Sequence, residues 1–132
     1  MARLHKQADG RQLGLPGRKA LEIVSGECGS RNVTLRLVEI PVPQPGDIPR
    51  ATHQHNDFEE CIFVLAGEGT TSAGSGEFHL KPGDTLLVPA GEKHVTRNTG
   101  TEPLLLLCFF PVPDITAGTL EPDVSAGSSE KS

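Results

Sequence analysis

Apolar side chains along this chain come in short runs, and glycine or proline closes nearly every run. Residues 33–40, 61–65, 77–80, 85–88, 94–98 and 104–110 combine β-branched, aromatic and leucine side chains at strand length. Many short strands separated by turn residues predict an all-β sandwich or a small antiparallel β-barrel. Fifteen glycines and eleven prolines leave little room for long helices. Residues 18–25 fit either one more strand or a helical turn. The stretch 41–46 holds Pro41, Pro43 and Pro45 and is too proline-rich for a central strand. It is expected to be an extended loop overhanging the barrel mouth.

A length of 132 residues predicts one domain with a real core. The formal net charge of −5 argues against a nucleic-acid partner, which needs a basic footprint. Charge is uneven: Arg3, Lys6, Arg11, Arg18 and Lys19 face only Asp9 within the first twenty residues. The organisation expected is a basic N-terminal arm over 1–20, a barrel over 21–112 and a flexible acidic tail over 113–132. The last ten or so residues are expected to be disordered, and 1–15 mobile unless they add a strand to a partner subunit. Cys28, Cys61 and Cys108 fit neither a disulfide framework nor a CxxC motif, which implies reduced thiols in a cytoplasm. No signal-peptide pattern opens the chain, and the longest apolar run, 104–112, is too short to span a bilayer. The expected partner is a small molecule.

Candidate chemistry concentrates in two stretches. His53 and His55 stand two apart, so on a strand both imidazoles project from one face while Gln54 points away. After the turn at Asn56-Asp57-Phe58, Glu60 shares a face with Ile62 and Val64, and Glu59 also lies within reach. His94 shares a face with Thr96 and Asn98, just after the bend at Pro89-Ala90-Gly91. Three imidazoles and one carboxylate would form a mixed nitrogen–oxygen site suited to a divalent transition metal such as iron, manganese, nickel or zinc. On an octahedral ion such a set leaves two positions open, where a structural site would be saturated.

The two stretches resemble the paired signature motifs of the cupin superfamily. The second agrees at Gly83, Pro89, Gly91, His94 and Asn98; the first agrees at His53, His55, Glu60 and Gly67. Gly46 departs by one position, standing one residue further from His53 than in the family pattern. The frame favours Glu60 over Glu59, because the required six residues lie between Glu60 and Gly67. The resemblance implies a single cupin barrel, with His53, His55, Glu60 and His94 as metal ligands and Asn98 structural. It also implies a homodimer, since barrel edges and apolar strand faces commonly pair in this family.

Residues outside the frames attract plainer readings. His79 is expected on an ordinary strand, His5 in solvent, and Cys61 and Cys108 in the core. Arg36 and Arg50 are expected at the surface, although either could salt-bridge an anionic substrate. The chain has no Tyr and no Trp, which excludes a tyrosyl acid/base and a tryptophan stacking platform. The expected function is a metal-dependent enzyme acting on a small organic molecule, either an oxygenase or a Lewis-acid isomerase, cyclase or lyase. Glu60 would double as general base. The rival is a non-catalytic module that binds or senses a small ligand.

Overall fold

Alternation of buried and exposed side chains along the strands dictates two layers with the site between them. The computed structural model describes residues 1–116 and the backbone of Thr119–Leu120. In chain order the strands are β1 (Arg11–Leu13), β2 (Lys19–Val24), β3 (Thr34–Ile40), β4 (Gln54–His55), β5 (Glu60–Ala66) and β6 (Gly69–Ala73). There follow β7 (Gly76–Leu80), β8 (Thr85–Val88), β9 (His94–Asn98), β10 (Leu104–Phe110) and β11 (Thr119–Leu120). The larger sheet runs β1-β2-β3-β10-β5-β8 and the smaller β7-β6-β9, while β4 pairs with β11. All pairings are antiparallel. The only helical turns among the described residues are short 3-10 segments at Gln7–Asp9 and Gly26–Cys28.

The core fills the space between the sheets. Thr34, Arg36, Val38 and Ile40 of β3 point inward, as do Leu104, Leu106, Cys108 and Phe110 of β10 and Glu60, Ile62 and Val64 of β5. Each fully buried Val, Leu, Ile or Phe there contributes roughly 1.5–3 kcal/mol from apolar burial. The undecided segment is strand β2. A strand the hydrophobic pattern did not announce is β6, whose Gly-Thr-Thr-Ser-Ala sequence lacks large side chains; the buried hydroxyls of Thr71 and Thr96 meet at 2.7 Å beneath it.

The basic N-terminal segment is part of the sheet. β1 pairs with β2 of its own chain, Lys19 and Ala20 belong to β2, and Arg18 is buried. At the other end, the Pro113 carbonyl accepts the Gly26 N–H at 2.8 Å and Ile115 packs into the core at 2% exposure. The disorder expected for the last ten residues falls outside the described residues.

Two turns need glycine. Gly67 turns the chain from β5 into β6 with φ of 81°, and a Cβ there would lie 2.5 Å from the Pro103 carbonyl oxygen and 2.9 Å from Leu104 Cα. Gly91 has φ of 86° and donates its N–H to the His55 carbonyl at 2.6 Å. That bond ties the bend before β9 to the strand carrying the histidine pair.

Candidate metal centre

Period-two geometry on three strand segments brings the four candidates together. His53 precedes β4 and exchanges both backbone hydrogen bonds with His94 of β9, at 3.0 and 2.8 Å. His55 ends β4, and Glu60 begins β5 on the inward face. The potential ligand atoms of His53, His55, Glu60 and His94 all lie within 4.8 Å of one another, and no side chain of the four is more than 2% exposed. Glu59 faces solvent, so the alternation of β5 decides between the two carboxylates.

The His55 and His94 imidazoles are held in place. Phe58 stacks on His55 with ring centroids 4.9 Å apart and planes 25° apart, and Phe110 meets the same imidazole edge-on at 5.4 Å. His94 Nδ1 lies 3.0 Å from the Glu92 carbonyl, which leaves Nε2 to face the cluster. Such a backbone contact fixes the tautomer and orientation of a metal-binding histidine. Behind His94 in the same strand, Asn98 donates to the Ile40 and Glu102 carbonyls at 3.0 and 2.8 Å and accepts the Gly100 N–H at 2.8 Å. Asn98 is therefore structural.

The electrostatics match a cation site. Burial pushes the Glu60 carboxyl up, but hydrogen bonds from His55 (3.3 Å) and His94 (3.0 Å) outweigh it and hold the carboxyl well below its ordinary range. Burial and the neighbouring His94 drive the His53 pKa down, so that imidazole stays neutral. Burial opposes charge on His94 as well, but the Glu60 carboxylate outweighs it and raises that pKa. Two buried atoms in the cluster, His53 Nε2 and Glu60 Oε2, have no hydrogen-bond partner among the described residues. A buried acceptor left unpaired costs about 1–3 kcal/mol. A divalent ion would satisfy both acceptors and relieve that cost, so the residues fit the group.

Charge is also buried elsewhere in the barrel. Arg36 is not at the surface: it is 1% exposed and binds the Glu22 carboxylate through Nε and one terminal nitrogen at 3.1 and 3.0 Å. Arg11 reaches the other Glu22 oxygen at 2.6 Å. Strand parity carried the missed signal, because Arg36 alternates in phase with Thr34, Val38 and Ile40. Arg18 and Glu22 are buried as well, and burial and then the Glu60 carboxylate raise the pKa of the Cys108 thiol. Arg50 is half-buried, its guanidinium donating to the Thr96 carbonyl. His79 is not brought in; it lies exposed, 3.3 Å from Glu68. All three cysteines are free, with Cys108 buried and Cys28 and Cys61 half-buried.

A family model described as a cupin domain matches residues 40–110. This chain belongs to the cupin domain family. No curated protein sequence matches it. Among solved structures, the oxalate decarboxylase of Lactobacillus farciminis in a formate complex aligns with a TM-score of 0.70 at 23% identity, covering 86% of this cupin. The chain spans only 33% of the length of that decarboxylase. The polyketide cyclase RemF of Streptomyces resistomycificus aligns at 0.68 and 18% identity, over 95% of this chain and 88% of its own. The nucleoside dehydratase Pac13 of Streptomyces aligns at 0.73 and 8% identity, over 90% of this chain and 89% of its own. At these identities the likeness establishes the fold, a single small cupin domain. No helix among the described residues is long and apolar enough to cross a membrane.

Proposed function

We propose that this cupin is a metal-dependent enzyme acting on a small organic molecule, with His53, His55, Glu60 and His94 holding one divalent transition ion. The observation that carries this reading is the buried cluster itself, in which three imidazoles and a carboxylate converge while His53 Nε2 and Glu60 Oε2 are left for a cation. When bound, the ion would supply Lewis-acid polarisation of a substrate oxygen or a coordination site for dioxygen. The chain's own residues favour the first, and with it an isomerase, cyclase or lyase. Buried Arg18 repels charge on His53, while Arg36 is matched by the Glu22 carboxylate. A nearby cation such as Arg18 would favour an oxyanion developing on substrate. Glu60 would act as general base only once Oε2 loosened from the ion.

The test is metal analysis of purified protein, followed by turnover assays on diketones, keto acids and polyketide-like aromatics, with oxygen uptake on catechols and flavonols. About one metal per chain and a turnover lost in His94→Ala support the enzyme. Oxygen consumption coupled to turnover moves the chemistry to the oxygenase class. Full burial of all four ligands is the feature that suits a non-catalytic module instead, and tight ligand binding without turnover would establish that reading.

The partner proposed for the protein is a second copy of itself. On the outer face of the large sheet, pairing aligns Leu35, Phe109, Cys61 and Leu87 in one row and Leu21, Leu37, Leu107 and Phe63 in the next. Leu87 and Phe109 are 54% and 39% exposed. A contiguous apolar sheet face of this kind marks an interaction surface, and two copies packed face to face would cover it.

A further inference from the structure

A cavity of about 760 Å³ lies between the proline-rich loop and the far end of β9. It shares no lining residue with the His/Glu cluster. Ile40, Pro41, Pro43 and Ile48 make its apolar side, and Arg50 and Arg97 bring two guanidinium groups. The Arg50 stem passes over Gly17, where an added Cβ would lie 3.2 Å from Arg50 Cδ. Its head caps the Thr96 carbonyl on the side of β9 away from β6, while Arg97 donates to Ser72 Oγ at 3.2 Å. Neither cation forms an ion pair with a carboxylate among the described residues. Asp47, a carboxylate on this wall, accepts the Gln44 N–H at 2.8 Å, and Glu77 accepts from the Ser72 hydroxyl that Arg97 binds. Burial, and then the like charge of Arg97, lower the Arg50 pKa to about 10. Arg50 has a backbone carbonyl and Arg97 a hydroxyl as hydrogen-bond partner, which leaves further N–H donors on both guanidinium groups for an oxyanion.

We infer that this cavity binds a small organic oxyanion, its charged head between Arg50 and Arg97 and its apolar body along the proline-rich loop. Guanidinium forks suit carboxylate and phosphate alike, and an apolar wall with few convergent polar groups is the usual form of a small-molecule site. The inference is independent of the proposed metal reading.

The test is titration of the full-length 15N-labelled protein, zinc-loaded and again in chelator, with hexanoate, hexyl phosphate and the uncharged hexanamide. Saturable amide shifts at Gly17, Ile40, Ile48 and Thr99 are expected for at least one anion in both conditions, and which anion binds tighter separates carboxylate from phosphate ligands. Hexanamide should bind about tenfold more weakly or worse, and Arg97→Gln should weaken the anion by a similar factor. Arg97 is exposed, so an otherwise unchanged spectrum shows that the variant is folded. Equal binding of hexanamide, an unaffected Arg97→Gln, or no shift at these amides would overturn the inference. Anion shifts that centre on His53 and His94 and vanish in chelator would also overturn it, while supporting the metal centre.

Discussion

Phe58→Ala separates the packing of the cluster from its ligands. Phe58 is 5% exposed, stacks on His55 at 4.9 Å and meets Phe110 edge-on at 6.0 Å. Removing a buried phenylalanine costs about 3–5 kcal/mol through lost burial and the cavity left behind. The aromatic contacts account for about 0.5–1.5 kcal/mol of that per pair. Released from its stack, the His55 imidazole gains rotameric freedom, and groups that orient metal ligands typically change metal affinity about 10–100-fold. Phe58→Leu refills most of the volume but not the flat face, so it should recover much of the stability and little of the affinity. Urea unfolding in chelator reads the first quantity, and competition with a chromophoric zinc chelator reads the second. If Phe58→Ala binds metal with wild-type affinity, then either His55 is not a ligand or its orientation owes nothing to the stack. Equal losses of affinity and stability in the leucine variant would show that volume alone matters.

Other expectations follow from the same contacts. His94→Ala and Glu60→Gln should each abolish stoichiometric metal loading, measured by elemental analysis after gel filtration, while circular dichroism stays that of a β protein. Gly67→Ala should lower stability by about 2–4 kcal/mol in urea unfolding, combining left-handed backbone strain with a Cβ driven against backbone atoms 2.5 and 2.9 Å away; a loss below about 1 kcal/mol would refute the account. Burial raises the Glu22 carboxyl, but hydrogen bonds from Arg11 and Ser25 and the charge of Arg36 outweigh it and lower its pKa. Its contribution is therefore complete above the unfolded carboxylate pKa and lost as pH falls through the folded one. The stability gap between wild type and Glu22→Gln should accordingly narrow from neutral pH towards pH 3, and a constant gap would contradict the assignment. Leu87→Glu with Phe109→Glu should convert a dimer to a monomer in sedimentation velocity; an unchanged sedimentation coefficient would remove the proposed interface.

The cluster was legible in the chain because strands impose a local rule. Period-two alternation places His53 with His55 and Glu60 with Ile62 without reference to anything distant, and turn glycines such as Gly67 and Gly91 signal backbone that other residues adopt only with strain. The same rule, applied to 34–40, puts Arg36 inside, yet a charged side chain reads as surface until its partner is known. That partner is Glu22, 14 positions earlier, and only the pairing of β2 with β3 brings the two together. β6 was hidden for a related reason: its threonines and serine carry little apolar signal and become strand through pairing on both sides, with β7 and β9. Local sequence thus determined which residues would share a face of each strand. Which charges are buried, that the basic segment joins its own sheet, and that Arg50 and Arg97 share one cavity were decided by the tertiary structure, because the free energy of a buried charge depends on partners that the chain supplies from far away.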